Sequence, residues 1–179
     1  MFAPISLLRF ALVVIAALLL IVDLGERPFL ANVDINWTDS MPMGYYLRRP
    51  LPDPMTRGSI VRFCPPLSAI APIREDLERL VKGSQPCAGG SPYFLKRIIA
   101  IPGDTVTIAR SGILVNGQAI PNSTVPRKLL KQFPHMALGE YRVTAHHAWV
   151  LSDAYLGYDS RYYGEIVPLM IDVPVWTWH

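Results

Sequence analysis

An apolar run near the beginning is the feature that most constrains this chain. Phe10–Val22 contains thirteen consecutive apolar residues, and between Ile5 and Val22 the only charge belongs to Arg9. The segment Ile5–Val22 has eighteen residues. As a helix, it comes close to the roughly 20 residues that are needed to cross a bilayer. We therefore expect residues 1–23 to form one N-terminal transmembrane helix that anchors the chain in a membrane.

The charges that flank this run predict which way it crosses. Arg9 precedes the run, whereas Asp23 and Glu26 follow it. Positive residues stay on the cytoplasmic side of a span, so we expect residues 24–179 on the exported side as one domain. A cleaved signal sequence, with an apolar core of about 7–15 residues, is the alternative. No small-x-small cleavage site follows promptly, which favours a retained anchor, and both interpretations export the domain.

Composition and charge exclude several classes of function. The 17 Lys and Arg residues exceed the 14 Asp and Glu residues by only three and are dispersed, whereas a nucleic-acid binder shows a dense basic face. Two cysteines cannot supply a four-ligand zinc site, and the adjacent His146 and His147 would point to opposite faces of a strand. No glycine-rich phosphate-binding motif occurs. We therefore expect no metal, no cofactor and no nucleic-acid partner.

The exported part of the sequence predicts a mostly β domain. Seventeen prolines are scattered along the chain, and proline breaks helix interiors. Glu140–Leu151 alternates apolar and polar residues, which predicts one long strand with His147 on its buried face. Segments rich in β-branched and aromatic residues predict further strands at Ser59–Phe63, Tyr93–Ile101, Thr105–Ala109 and Ile113–Val115.

Three other segments complete this organisation. Pro72–Lys82 carries apolar residues at helical spacing and ends before Gly83, which predicts a small helical insert on the β framework. Asn116-Gly117 predicts a tight hairpin turn. Asn122–Gly139 is polar and predicts a loop, with a helical turn around Lys128–Gln132.

The two cysteines are interpreted through the predicted compartment. Cys64 and Cys87 bracket a segment rich in proline and glycine, and the expected export places them in an oxidising environment. A disulfide bond between them is therefore the favoured interpretation. Two unpaired, buried thiols are the alternative.

Two residues are candidates for chemistry. Ser40 lies in a small, turn-prone setting that extends to Tyr45, and Lys96 shares a face of its predicted strand with Ile98 and Ala100. Apolar surroundings disfavour the ammonium form of a lysine and lower its pKa, so a larger fraction of the amine is neutral and can accept a proton from a serine hydroxyl. The alternatives are a turn serine and a lysine on an edge strand whose ammonium reaches water.

These segments together resemble the type I signal peptidases. The resemblance covers roughly residues 38 to 168 and begins with Ser40-Met41-Pro42 followed by Gly44. It continues, in the order found in that family, with Lys96-Arg97-x-x-Ala100-x-Pro102-Gly103-Asp104 and Asp159-Ser160-Arg161-x-x-Gly164. It implies a signal-peptidase-like β fold and a membrane-anchored endopeptidase that uses a serine and a lysine.

The match is closer to one subgroup. The short chain, the single anchor, the Ser-Met-Pro-x-Gly-x-Tyr form and the pair Cys64 and Cys87 resemble the conjugal-transfer, TraF-type signal peptidases. That resemblance implies a catalytic domain in the periplasm at a bacterial inner membrane, with membrane lipid, a pilin-like precursor and a conjugation or secretion apparatus as partners. Some members of the subgroup are linked to cyclisation of the pilin. A general leader peptidase and a non-catalytic assembly subunit that binds pilin are the alternatives.

The resemblance also implies a role for each matching residue. Ser40 stands in the place of the nucleophile and Lys96 in that of the general base. Thr38 stands where many relatives use a hydroxyl in the oxyanion hole, beside the backbone N–H of Ser40. Asp159 and Arg161 match the last motif as an ion pair that orders the surroundings of Lys96, and Asp159 is a candidate third catalytic residue.

Two departures from the family pattern concern Lys96. Family members often have a serine two residues before the motif Asp, where it holds the lysine ammonium, and Gly157 occupies that position here. Ser152-Asp153 replaces the Gly-Asp-Asn that is usual upstream. It is therefore open at this point whether Asp159, Ser160 or a water orients Lys96.

Overall fold

The fold is mostly β, as the sequence predicts. The computed structural model describes residues 12–16, 19, 31–75, 77, 86–125 and 133–178. The strands in these ranges are β1 (Val33–Asn36), β2 (Gly44–Pro50), β3 (Ile60–Phe63), β4 (Phe94–Ala100), β5 (Thr105–Ala109), β6 (Gly112–Val115), β7 (Gln118–Ala119), β8 (Gly139–Arg142), β9 (Trp149–Leu151) and β10 (Met170–Thr177). The helices are α1 (Leu67–Ile70), continued by a 3-10 turn (Ala71–Ile73), and α2 (Ser160–Tyr163).

The strands form two antiparallel sheets. The first has the order β1-β2-β10-β3-β4-β9, and the second has the order β7-β6-β5-β8. Buried residues of the second sheet pack against Trp149 and Leu151 of β9, so β9 joins the cores of the two sheets. The sequence prediction covers β3 to β6 to within one residue at each end, whereas β1, β2 and β10 lie outside every predicted strand.

The predicted hairpin turn links two strands of the second sheet. Asn116 and Gly117 have φ values of 51° and 81°, which is the left-handed conformation that this kind of turn requires. The predicted strand Glu140–Leu151 is wrong, because the chain leaves the second sheet after β8 and enters the first sheet at β9. His146 adopts a φ of 64° at the corner. His147 is therefore half-exposed rather than in the core, with Nδ1 2.8 Å from Thr144 Oγ1.

The described helical residues begin earlier than the sequence predicts. Helical structure starts at Leu67, and Pro72 lies in the 3-10 turn that follows α1. Residues 76 and 78–82 of the predicted helix Pro72–Lys82, and the turn predicted around Lys128–Gln132, lie outside the described residues. Of the predicted anchor, only residues 12–16 and 19 are described, and they are helical. Among the described residues, no helix is both long enough and apolar enough to span a bilayer.

A buried ion pair ties the long strand β10 to the middle of the first sheet. β10 pairs with β3 at Met170 and Ile171, and the next residue, Asp172, accepts hydrogen bonds from Arg62 Nε and Nη2 at 3.0 and 2.7 Å. Both side chains are buried. Because a buried charge is costly when its partner is removed, this bidentate pair holds β10 in place.

We predict that Asp172→Ala destabilises the fold by about 3 kcal/mol, since it removes the bidentate partner of the buried Arg62 guanidinium and leaves it only the partly exposed carboxylate of Asp34. The matched control is Asp153→Ala, which removes a bidentate carboxylate from Arg97 where both side chains are about one-third exposed. That loss should be below about 1 kcal/mol. Urea unfolding of the three proteins measures both values, and equal losses would contradict the assigned role of Asp172.

Candidate active site

Ser40 and Lys96 line the same cleft. The cleft has a volume of about 750 Å³, and its walls come from the segment between β1 and β2 and from the beginning of β4. Thr38, Asp39 and Gly157 line it as well. Residues that lie 56 positions apart in the sequence are thus brought to one concave surface, which is the usual setting of a catalytic site.

The turn that carries Ser40 is fixed from both sides. Met41 is fully buried in a cluster with Tyr46 and Ile60, so the preceding residue is held at the surface of the cleft. On the other side, the Asn36 amide donates to the carbonyls of Met41 and Pro42 at 3.0 and 3.2 Å. The Ser-Met-Pro sequence therefore supplies a serine on a rigid turn.

Gly44 in the same motif is required by the neighbouring strand. It pairs with Thr177 of β10 and has a φ of 153°, which side chains rarely adopt. A Cβ at this position would lie 2.2 Å from the carbonyl oxygen of Trp176. The glycine thus allows β10 to approach the turn that carries Ser40.

Lys96 is a buried lysine in the middle of a strand. It is 5% exposed and shares a face of β4 with Ile98 and Ala100. Burial lowers its pKa to about 8, while the negative charges of Asp159 and Asp39 act in the opposite direction. Because the side chain is buried, the alternative of a lysine whose ammonium reaches water does not hold.

The hydroxyl of Ser40 is engaged by Thr38. The two Oγ atoms lie 3.0 Å apart, and Thr38 Oγ1 donates its own proton to Asn36 Oδ1 at 2.8 Å. Ser40 is therefore the donor of the pair. In the described part of the chain no residue is hydrogen-bonded to Lys96 Nζ, so the Ser40 hydroxyl must rotate before it can give its proton to the amine.

The carboxylate of Asp159 is fully occupied. Its side chain is completely buried and accepts two hydrogen bonds of 2.8 Å from the Arg161 guanidinium. It also accepts the backbone N–H of Arg161, which caps α2, and that of Ser152. Asp159 therefore influences Lys96 through its charge, while its oxygens hold the surrounding backbone.

Arg161 and Ser160 connect the site to the rest of the domain. Arg161 is almost fully buried and donates to the carbonyls of Thr124, Tyr155 and Gly157 at 2.9 to 3.2 Å. Ser160 Oγ accepts the backbone N–H of Val150 in β9 at 2.9 Å. Both residues have a supporting position, since neither is a hydrogen-bond partner of Lys96.

The structure adds two residues that the sequence analysis did not assign to the site. Asn36 binds both the hydroxyl and the backbone N–H of Thr38 through its Oδ1. Ser152 Oγ donates to the carbonyl of Ser40 at 2.9 Å. A sequence signal exists only for Asn36, because an asparagine two residues before a threonine is typical of a local side-chain turn.

Cys64 and Cys87 form a disulfide bond with a sulfur–sulfur distance of 2.07 Å. Cys64 directly follows β3, and Cys87 makes a β-bridge with Ser91 shortly before β4. The bond therefore joins the two ends of the segment that leads from β3 to the strand carrying Lys96. Pro86 and Pro92, which flank this bridge, line the cleft.

Comparison with known proteins assigns the chain to a family. Residues 5–171 match the family model described as signal peptidase, peptidase S26. This chain belongs to the S26 signal peptidase family. The resemblance predicted from the sequence motifs is confirmed, and S26 membership indicates a serine peptidase.

Similar proteins are named for plasmid transfer. A plasmid transfer protein TraF of Escherichia coli is 31% identical over 170 residues, which is 92% of this chain and 91% of that protein. A conjugal transfer protein TraF of Agrobacterium tumefaciens (strain 15955) is 31% identical over 157 residues, or 81% of this chain and 82% of that protein. The S26 chain is thus similar to TraF proteins over nearly its whole length.

We predict that the Lys96 amine loses its proton with a midpoint near pH 8. The variant Asp39→Asn should move this midpoint to lower pH, because it removes a negative charge that raises the pKa of Lys96. The rate of acetylation of Lys96 by acetic anhydride, followed by peptide mass spectrometry over a pH series, measures the fraction of neutral amine. Glu140→Gln on the second sheet is the matched control and should leave the midpoint unchanged. The same midpoint in Asp39→Asn would contradict the prediction.

Proposed function

We propose that this S26 chain is a membrane-anchored serine endopeptidase that cleaves an exported precursor by Ser-Lys acyl transfer. The observation that carries the proposal is the shared cleft, which is lined both by Ser40 on a rigid turn and by the buried Lys96. At pH 7 a lysine with a pKa of about 8 is neutral in roughly a tenth of the molecules, whereas an unperturbed lysine is neutral in only about 0.03%. A usable base is therefore present near neutral pH.

The proposed chemistry follows from these two groups. Ser40 Oγ attacks the scissile carbonyl while Lys96 Nζ takes the hydroxyl proton, and the resulting ammonium gives that proton to the leaving amine. Water then attacks the acyl-enzyme ester while Lys96 takes its proton, and the ammonium returns that proton to Ser40 Oγ as the ester bond breaks and the product acid leaves. No metal or other cofactor takes part in these steps.

Developing charge on the substrate carbonyl needs donors near Ser40. The backbone N–H of Ser40 is one candidate, and the hydroxyl of Thr38 is the second. Thr38 Oγ1 gives its proton to Asn36 in the structure described here, so it can serve the oxyanion only after that bond is exchanged. Well-placed donors of this kind each contribute about 3 kcal/mol to the transition state.

Asp159 fits a supporting role better than direct proton transfer. Its carboxylate oxygens accept hydrogen bonds from Arg161 and from the backbone of Ser152. As a third member of the site, it would hold the beginning of α2 and the residue after β9 in place beside Lys96. Its negative charge also moderates the effect of burial on the pKa of that lysine.

The substrate is expected to bind as an added strand against the first sheet. Within the described residues, β9 pairs with β4 only from Arg97 onwards, so residues 94–96 have a free edge on the side away from β3. β1 is an edge strand of the same sheet, and Asp34, Ile35 and Asn36 line the cleft. An extended peptide between these edges would pass Ser40 and Lys96.

The relatives suggest the biological substrate. Proteins named for plasmid and conjugal transfer are similar over most of their length, which favours a pilin-like precursor and contact with a conjugation apparatus. Attack on the acyl-enzyme by the amino terminus of the same substrate would give a cyclic product. General leader peptidase activity is the second enzymatic candidate, and non-catalytic binding of pilin is the third.

The proposed location is the periplasmic face of a bacterial inner membrane, with residues 1–23 as the anchor. An aromatic group beside the cleft supports contact with lipid. Trp37 lines the cleft and packs on Trp178, which also contacts Tyr45 and Trp176. Trp37 and Trp176 are more than 60% exposed. Tryptophan and tyrosine rings favour the interface between water and bilayer, so this group suits a site that lies close to the membrane surface.

We predict that Ser40→Ala, Lys96→Ala and Lys96→Arg each abolish cleavage, since a guanidinium stays protonated and cannot act as base. A candidate pilin precursor, incubated with the full-length protein in detergent, is followed by mass spectrometry for a shortened product. Arg97→Ala is the matched control on β4 and should retain most of the activity, because Arg97 lies on the opposite face and pairs with Asp153.

The outcomes of this experiment separate the candidates. Substantial cleavage by Lys96→Arg would overturn the Ser-Lys mechanism. Cleavage of many unrelated secreted precursors would favour a general leader peptidase, and binding without any cleavage would favour an assembly subunit. A product lighter than the linear form by one water would show cyclisation.

A separate prediction tests the proposed location. In cells with a permeabilised outer membrane, an impermeant thiol reagent should label the wild-type protein only after reduction, because Cys64 and Cys87 are joined. The variant Cys87→Ser leaves Cys64 half-buried and unpaired, and it should be labelled without reduction. Absence of labelling in Cys87→Ser would contradict the periplasmic location, and labelling of unreduced wild type would contradict the disulfide.

A further inference from the structure

Gly157 lacks a side chain for a spatial reason. A Cβ at this position would lie 2.0 Å from Ser152 Cβ and 2.1 Å from Ser152 Oγ, which is far too close for either pair of atoms. The φ of Gly157 is not in the left-handed region, so its backbone conformation does not demand glycine. The side chain of Ser152 therefore fills the volume that a side chain at position 157 would need.

Ser152 joins the nucleophile to the buried ion pair. Its backbone N–H donates to Asp159 Oδ2 at 2.9 Å, and its hydroxyl donates to the carbonyl of Ser40 at 2.9 Å. The same carbonyl accepts the backbone N–H of Asp153 at 2.8 Å. Two donors thus fix the peptide group that follows Ser40, and with it the direction in which Ser40 Oγ leaves the backbone.

We propose that Ser152 is a positioning residue for Ser40 and that Ser152 and Gly157 form a matched pair. The inference rests on the proposed function, in which Ser40 is the nucleophile. It links the two departures from the family pattern, since the side chain of Ser152 fills the volume that a serine at position 157 would need.

The matched pair is tested without any substrate. Thermal unfolding of the full-length protein in detergent is compared for wild type, Ser152→Gly, Gly157→Ser and the double variant. Gly157→Ser should lower the midpoint strongly when Ser152 is present, because the two side chains overlap, and much less in the Ser152→Gly background. An equal effect of Gly157→Ser in both backgrounds would overturn the pair.

The positioning role is tested by kinetics on the precursor that the wild type cleaves. Ser152→Ala should lower kcat by about 10- to 100-fold with KM within about twofold, since a small misplacement of the nucleophile slows chemistry more than binding. The double variant Ser152→Gly with Gly157→Ser should recover activity relative to Ser152→Gly alone. Ser123→Ala is the control, because it removes a buried serine hydroxyl that binds Ile113 in the second sheet and should leave kcat near the wild-type value.

The results distinguish this inference from the proposed function. If wild type cleaves the precursor and Ser152→Ala has an unchanged kcat, the positioning role is wrong while the peptidase proposal stands. A similar loss of kcat in Ser123→Ala and Ser152→Ala would also overturn it, because the effect would then be one of general stability. If wild type cleaves no precursor, the peptidase proposal fails, and with it the positioning role, while the unfolding midpoints still decide the pair.

Discussion

The ion pair between Asp159 and Arg161 is the interaction on which the candidate site depends. Both side chains are almost fully buried, and their hydrogen-bond partners lie in the first turn of α2, in the loop from Ser152 to Gly157 and at Thr124. Arg161 holds three carbonyls from two segments, one at Thr124 and two in the loop Tyr155–Gly157, and Asp159 holds the backbone of Ser152 and the first turn of α2. Because a buried charge is stable only when its hydrogen bonds are satisfied, these contacts fix the loop geometry near Lys96.

The same pair explains why Lys96 can have a low pKa beside a carboxylate. A lone Asp159 would favour the ammonium form, but Arg161 lies next to it and acts on Lys96 with the opposite sign. Burial has the largest effect on the amine, and Arg161 offsets part of the effect of Asp159, so the pKa stays below its ordinary value. The pair thus places a carboxylate near the lysine, while its arginine weakens the effect of that carboxylate on the pKa of Lys96.

The sequence predicts those parts of the fold that local pattern determines. β4 and β5 follow from runs of β-branched and aromatic residues, and the alternation along β4 correctly places Lys96 on its buried face. β10 contains Pro174, and β2 contains two arginines and a proline, so their pairing depends on long-range partners rather than on local preference. The strand predicted at Glu140–Leu151 failed because alternation carries no information about which sheet a strand joins.

The candidate site likewise contains some residues that the sequence predicts and others that only the structure reveals. Ser40 and Lys96 were predicted because their side chains carry the chemistry and lie in recognisable motifs. Ser152 contacts a backbone carbonyl that lies 112 positions away in the sequence, and any residue type at position 40 would offer that carbonyl. Such a contact leaves no pattern in a single sequence. A substitution at Gly157 can therefore be interpreted only together with the residue at position 152. The two positions share one volume, so a larger side chain at one of them requires a smaller side chain at the other.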